Sequence, residues 1–299
     1  MKILITGASG FIGSSFLKKL ARTDFNVLCI SRTRPLWIDK SNNFVWLEGD
    51  INSLDKIEDK IIAFKPTVVF HLIWEGIPEF NSVNSIKNLF NSIKLFEIIF
   101  KSNSCKKIIV PGSCFEYSKK FGSCEESEKL SPSDYFTWAK LSLYEYLKIQ
   151  SIVREISFAW FRLFYVYGPL QRTGSLIPTL IESINNNKCP DLRTPKNLND
   201  FIYVDEVTEL FLLTLNKDFS SGVYNVGSGQ SSSVTYICSI IEDSIRSNNL
   251  LTDELKSKSE DSEVEVNFYA STKKTTENFG WRNATSIEDG IKKVIDASK

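Results

Sequence analysis

A doubly wound parallel α/β sheet is predicted by three features of this chain. Three glycines, Gly7, Gly10 and Gly13, separate a short apolar run from a helically periodic one. Strand-like and helix-like segments then alternate over about 165 residues, the order that right-handed crossovers wind into a parallel sheet. The segment Thr67–Ile73 is apolar through its centre, as a strand covered on both faces requires.

Lys2–Thr6 is the first strand, centred on Ile3, Leu4 and Ile5. Behind it Phe11, Ile12, Phe16, Leu17 and Leu20 recur at helical spacing. The G-x-x-G-x-x-G run therefore occupies a strand-to-helix turn. There, glycines let the backbone turn tightly and approach a pyrophosphate. The helix N-terminus offers it free N–H groups and partial positive charge. This Rossmann-type arrangement predicts a dinucleotide site at Gly7, Ser9, Gly10, Phe11, Ile12 and Gly13. The bland reading is three turn glycines with no ligand, and the strand before and helix after weigh against it.

Phe25–Ile30 is a second strand, ended by Ser31-Arg32-Thr33-Arg34-Pro35. A site for NAD usually places Asp or Glu at about this distance from the glycines, on the ribose hydroxyls. Ser31, with Arg32 and Arg34 beside it, suits a 2′-phosphate, so NADP is expected and NAD is the alternative. The bland reading is a solvated arginine loop. Phe44–Leu47 is a third strand, after which Asp50, next to Ile51, is placed to accept from the adenine amino group. In the fourth strand, Thr67–Ile73, Leu72 is expected at the cofactor. His71 either lines the cleft or holds a structural hydrogen bond.

Ile86–Phe100 forms an amphipathic helix whose wide apolar face serves the core, a partner subunit, or both. Lys107–Pro111 is a fifth strand, running into Gly112-Ser113-Cys114-Phe115-Glu116-Tyr117. A polar loop over Gly122–Pro132, a helix over Asp134–Val153 and a sixth strand over Ile156–Phe164 follow, and Tyr165–Pro169 turns the chain away. From Leu170 the pattern loosens. Helices are expected over 176–184, 205–215, 233–247, 272–279 and 287–297, strands over 201–204, 223–226 and 264–269, and a loop over 185–195. This predicts a dinucleotide-binding domain over 1–168 and a smaller C-terminal α/β substrate-binding part over 169–299. Segments around 196–230 are expected to pack back on the first.

Composition bounds the function. Among 299 residues, 36 Lys and Arg balance 36 Asp and Glu, so no basic field attracts nucleic acid or an anionic membrane. No apolar run reaches the ~18–20 residues of a bilayer span. The chain starts inside its first strand, which is expected to leave no room for a leader. The six cysteines include no C-x-x-C pair, so reduced thiols in a cytoplasmic protein are expected, with no metal site. His71 is the one histidine, which excludes mechanisms needing two.

TGASGFIG, the Ser113–Tyr117 segment, Lys140 and Arg162–Pro169 (RLFYVYGP), in this order, resemble the extended short-chain dehydrogenases. Among these the chain is most similar to nucleotide-sugar epimerases, dehydratases and reductases. HLIWEG, GSCFEY, AWFRLFYVYG and NDFIYVDEV resemble a bacterial subgroup of deoxysugar and 4-keto-sugar chemistry. The resemblance covers Met1 to about Gly229.

That family uses a Ser or Thr to orient the sugar oxygen, a Tyr to exchange its proton while C4 exchanges hydride with the nicotinamide, and a Lys four residues after the Tyr. The Lys binds the nicotinamide ribose and lowers the Tyr pKa. Ser113 takes the Ser place and Lys140 the Lys place, while the Tyr place falls on Phe136, which has no proton to give. Tyr135 is then the expected acid, although one helical step of ~100° turns it from the Lys140 stripe. Tyr117, Glu116, Cys114 and a bound water are the alternatives. The 4,6-dehydratases carry Asp-Glu where this chain has Cys114-Phe115, which argues against ordinary 4,6-dehydration. The diphosphate-binding Arg of Arg-Asp-Phe is replaced by Asn199, with Arg172, Arg193 and Lys196 as substitutes. Substrate is expected at Ser113, Cys114, Arg172 and Tyr203.

The resemblance implies an NADP-dependent (alternatively NAD-dependent) nucleotide-sugar 4-reductase or epimerase, forming a homodimer through helices 86–100 and 134–153. Two rivals are a cofactor-binding relative without turnover and a dehydratase using other acids.

Overall fold

The structure, a computed structural model, describes residues 1–35, 44–192, 194–246 and 248–298. The chain runs through β1 (Lys2–Thr6), α1 (Phe11–Leu20), β2 (Asn26–Ser31), β3 (Phe44–Glu48), a 3-10 turn (Ile51–Lys56), α2 (Glu58–Phe64), β4 (Val68–His71), α3 (Ser82–Lys101) and β5 (Lys107–Ser113). A second 3-10 turn (Cys114–Glu116) leads to β6 (Phe121–Cys124), α4 (Tyr135–Arg154), β7 (Ser157–Leu163), β8 (Tyr165–Tyr167), α5 (Leu176–Asn185), β9 (Leu198–Asn199) and β10 (Phe201–Tyr203). Then come α6 (Val204–Asn216), β11 (Gly222–Val226), β12 (Ser232–Ser233), α7 (Val234–Arg246), α8 (Leu250–Lys258), β13 (Asn267–Ala270), α9 (Lys273–Phe279) and α10 (Ile287–Ala297).

Seven strands form one sheet in the order β11-β7-β5-β4-β1-β2-β3. The pairs β3–β2, β2–β1, β1–β4 and β4–β5 are all parallel. This is the doubly wound order, with its reversal beside β1. Register aligns the strand ends that matter: Thr6 stands opposite Ile30 and His71, and Ser31 opposite Glu48. One face of the sheet packs Leu4, Val69, Ile108 and Val110 against Phe96, Ile99, Leu143 and Leu147 of α3 and α4. On the other, Phe70 sits 4.6 Å from Phe16 and 5.5 Å from Phe211 by ring centroids. Alternate residues of the central strands thus bury on opposite faces, while the edge strand β3 buries only Leu47.

The chain divides into two compact units: residues 1–118, 129–162 and 208–224 in the first, and 119–128, 163–207 and 225–299 in the second. This differs from one cut at residue 168. The reason is pairing. Gly122–Cys124, the start of the expected polar loop, belongs to β6, which pairs in parallel with β13 in a four-stranded sheet ordered β12-β9-β13-β6. Residues 208–224 return to the first unit, where Phe211 joins the Phe16–Phe70 cluster. Inside the second unit, Ile177, Leu180, Ile184, Ile237, Ile241, Leu255, Ile291 and Ile295 form a separate core.

Smaller differences are local. The third helix starts four residues early because the Asn81 side chain accepts from the Asn84 N–H at 2.9 Å. Helices α2 and α8 are short and charged, so they carry little periodicity. Tyr165–Tyr167, expected in a turn, pairs in parallel with β10.

Candidate active site

The site begins at the turn between β1 and α1. Gly7 has φ +69°, a left-handed conformation, and a Cβ there would lie 2.8 Å from the Ile73 nitrogen. A Cβ on Gly13 would lie 2.2 Å from the Gly7 carbonyl oxygen. These contacts admit only glycine and hold the turn against the end of β4. Helix α1 opens at Gly10 with no side-chain cap and no acidic residue in its first turn. Its first N–H groups and its dipole are therefore uncompensated by the helix itself, the condition a bound pyrophosphate satisfies. The cradle fits a nicotinamide dinucleotide. Ser9, Phe11 and Ile12 are half-buried around it.

At the end of β2, Ser31 is buried and its hydroxyl donates to the Thr33 carbonyl at 2.7 Å. The next residue, Arg32, stands 3.5 Å from a carboxylate oxygen of Glu75. Asp50 caps the 3-10 turn beginning at the buried Ile51, accepting from the Asn52 N–H at 2.9 Å and from its amide at 2.6 Å. Asn52 Nδ2 donates to the Glu75 carboxylate at 3.1 Å, a link between two loops that leaves no periodic pattern to read.

His71 belongs to the scaffold. Ser92 Oγ gives its one proton to the Asn88 carbonyl at 2.7 Å, so it accepts from His71 Nε2 at 2.9 Å. His71 Nδ1 is then the acceptor for Thr6 Oγ1, also at 2.9 Å. Burial drives the imidazole pKa down to about 3, so it stays neutral. Leu72 follows, half-buried, at the end of the strand.

β5 carries Ser113 beyond the end of β4 on the same side of the sheet, since Phe70 pairs with Ile109 and β4 ends at His71 while β5 runs on to Ser113. Ser113 N–H donates to Glu116 Oε1 at 2.8 Å, and its hydroxyl accepts from Phe115 N–H at 3.2 Å. Glu116 is fully buried. It accepts from Trp160 Nε1 at 3.0 Å and from Arg162 Nε at 2.8 Å. Arg162 also donates to Tyr117 Oη at 3.0 Å. Glu116 and Tyr117, alternatives for the acid, are thus the frame under Ser113. An arginine inside the apolar run AWFRLF was the sequence signal for this buried pair. Cys114 is buried beside it, and Phe115 is 38% exposed.

Helix α4 supplies Lys140. Its ammonium donates to the Pro111 carbonyl at 2.9 Å and lies 4.0 Å from the centroid of Trp74. Burial drives its pKa down to about 7, against the opposing pull of Glu116. Phe136 fills the Tyr place: it is buried, stacks on Phe80 at 4.6 Å and meets Trp74 edge-on at 5.7 Å. Tyr135, the expected acid, opens the same helix. Asp134 caps α4 and accepts from Thr137 N–H at 2.7 Å, which fixes Tyr135 in the first turn. There it is 56% exposed, while Lys140 is 6% exposed.

In the second unit, Tyr203 is buried, its ring 5.7 Å from that of Tyr167 and 5.1 Å from Lys293 Nζ. Arg172 is exposed on the loop before α5. Lys196 donates to the Glu260 carbonyl at 2.5 Å, and Arg193 lies outside the described residues. Beside the buried Asn199, Asp200 accepts from the Ser228, Gly229 and Ala270 N–H groups at 2.6, 3.0 and 3.0 Å, pinning the turn after β11. Among the described residues no His, Cys, Asp and Glu group could hold a metal, and no helix is long and apolar enough to cross a membrane. The six cysteines are present as thiols.

The chain is similar to several known proteins over its whole length. CDP-abequose synthase of Salmonella muenchen is 27% identical over 98% of this chain and 97% of its own. A dTDP-4-dehydro-6-deoxyglucose reductase of Escherichia coli is 22% identical over 98% and 96%. The crystal structure of Thermotoga maritima UDP-glucose 4-epimerase with UDP-glucose superposes with a TM-score of 0.82 at 23% identity, covering 100% of this chain and 98% of that one. A Bacillus anthracis dTDP-glucose 4,6-dehydratase solved with NAD gives 0.81 at 18% identity, covering 100% and 96%. A family model described as the NAD dependent epimerase/dehydratase family matches residues 3–227, and the chain belongs to that family.

Proposed function

We propose that this protein is a nicotinamide-dinucleotide-dependent nucleotide-sugar 4-reductase or 4-epimerase. The observation that carries the reading is the meeting of Lys140 with β5. Its ammonium is held on the Pro111 carbonyl, two residues before Ser113, at the strand edge that bears the glycine cradle. A relative named a dTDP-4-dehydro-6-deoxyglucose reductase and a fold neighbour named a UDP-glucose 4-epimerase support it.

When bound, the dinucleotide supplies hydride exchange at sugar C4. Gly7, Gly10 and Gly13 hold its pyrophosphate, with Ser9, Phe11, Ile12, Asp50, Ile51 and Leu72 around it. Ser113 orients the C4 oxygen. The proton falls to Lys140, because Phe136 has none to give and Tyr135 faces elsewhere. A lysine near pKa 7 can release and regain a proton at neutral pH. The expectation of NADP rests on Ser31 and Arg32, and the carboxylate facing Arg32 argues the other way. The homodimer expected on α3 and α4 is supported by exposed Val83, Ile86 and Phe90 on one helix and Trp138 on the other. Cytoplasmic residence remains part of the same reading.

The test is incubation of the full chain with each dinucleotide and a panel of 4-keto and 4-hydroxy nucleotide sugars, read by mass spectrometry and NMR at C4. Reduced or inverted C4 is expected, and its loss in Lys140→Met. Turnover undiminished in Lys140→Met removes Lys140 from the chemistry. A second reading rests on Phe136: a relative that binds dinucleotide without turnover. Bound dinucleotide with unchanged sugars across the panel favours it. A dehydratase, the third reading, would give a 4-keto-6-deoxy product with no net use of cofactor.

A further inference from the structure

Glu75 lies in the loop after β4, away from the strand whose end normally chooses between the two dinucleotides. It is held there from both sides. Its N–H donates to Asn88 Oδ1 at 2.8 Å, and its carbonyl accepts from Asn88 Nδ2 at 2.9 Å. Asn88 is itself buried and gives its other amide proton to the Asn84 carbonyl at 2.8 Å. The carboxylate is aimed by this clamp. Its side chain is 20% exposed and faces three groups: Arg32 at 3.5 Å, Lys87 at 3.4 Å and the Asn52 amide at 3.1 Å.

Those contacts place a fixed negative charge at the adenosine end of the cradle. Arg32 follows Ser31, the residue at the end of β2, where a dinucleotide fold handles the 2′ position. The Ser31 hydroxyl donates to Thr33 and lies in the same short turn. Arg32 alone would be an attractive partner for a 2′-phosphate. With Glu75 across from it, the guanidinium already has an anion, and an incoming phosphate dianion meets a carboxylate at the same place. Specificity built by placing a like charge against the unwanted ligand is a common device.

We propose that Glu75 selects the cofactor, favouring NAD over NADP by occupying Arg32 and repelling a 2′-phosphate. This deepens the dinucleotide reading of the glycine cradle and rests on it. The carboxylate missing at position 31 is, in effect, supplied from the β4 loop. Arg32 keeps Glu75 in place, and Lys87 limits the repulsion without removing it. The side chain of Arg32 is 71% exposed, so the effect is of the order of one screened charge contact.

Calorimetric titration of the full chain with NAD and with NADP tests this without any turnover. The wild type is expected to bind NAD tighter, and Glu75→Gln, which keeps the Asn52 contact, to tighten NADP about tenfold. Arg32→Gln is expected to change NADP affinity little in the wild type. In the Glu75→Gln background it should weaken NADP several-fold, a coupling that a double-mutant cycle reads directly. A wild type that prefers NADP, or an NAD-to-NADP ratio unmoved by Glu75→Gln, overturns the proposal while leaving the cradle intact. Binding of neither dinucleotide by the wild type overturns the cradle and this proposal together. Thermal shifts by each dinucleotide give a second readout should Glu75→Gln loosen the loop.

Discussion

Lys140 Nζ and the Trp74 ring stand 4.0 Å apart, and the same ammonium donates to the Pro111 carbonyl at 2.9 Å. A cation so placed is held by an aromatic face and one carbonyl, with Phe136 closing the box at 5.9 Å from its ring centroid. Because the folded lysine loses its proton near 7 and the unfolded one near 10.5, the unfolded chain binds more protons between these values. This group's contribution to stability therefore rises with pH across that window. In the reducing direction, activity is expected to fall as pH rises through about 7. Tryptophan emission should follow the same titration, and Lys140→Met should remove that inflection.

His71 sets the acid side. Its folded pKa of about 3 lies below the ordinary 6.5, so the unfolded chain takes up its proton first as pH falls. The stability that this residue contributes is complete above pH 6.5 and is lost from there towards 3. The slope approaches 1.4 kcal/mol per pH unit at most. Urea midpoints measured from pH 7 to pH 4.5 should fall in the wild type and fall less steeply in His71→Asn, which is less stable at neutral pH.

The Glu116–Arg162 pair, 2.8 Å apart and buried at both ends, is expected to be costly to break. Removing one partner leaves the other charge uncompensated, a loss of roughly 3–5 kcal/mol. Arg162→Met and Glu116→Gln should each lower the melting temperature. Glu116→Gln should also weaken turnover, because the Ser113 N–H then loses a charged acceptor.

Phe136→Tyr restores a phenol on the Lys140 stripe. If Lys140 handles the proton alone, the new hydroxyl should raise turnover by tenfold or more, since a positioned acid contributes on that scale. The stability cost is about 1–3 kcal/mol unless the hydroxyl finds a partner, because Phe136 is buried between Phe80 and Trp74. Steady-state rates and melting curves separate the two effects. An unchanged rate at full cofactor occupancy would mean that the ring plays no part in the chemistry.

The sheet and its glycine turn were legible because their signals are local. Ile3–Ile5, Phe11–Leu20 and the three glycines between them need no distant partner to be read. The alternation of strands and helices carried the rest of the first unit. What escaped was non-local. Gly122–Cys124 reads as part of a polar loop until β13, far along the chain, pairs with it. Tyr135 and Phe136 are neighbours in sequence, and only the Asp134 cap decides which one faces inward. Glu75 gave no periodicity at all, since its place is set by Asn88 across the loop. Buried charges such as Glu116 and Arg162 were visible as residues, and their pairing depended on strands meeting in the sheet.

The central claim is that the turn at Gly7–Gly13 holds a nicotinamide dinucleotide, and native mass spectrometry of the freshly purified full chain tests it most directly. A species heavier by one dinucleotide is expected, present on isolation or after adding NAD. That species should disappear in Gly13→Val, whose Cβ would sit 2.2 Å from the Gly7 carbonyl oxygen. A wild-type chain that keeps its bare mass with NAD and with NADP would contradict it.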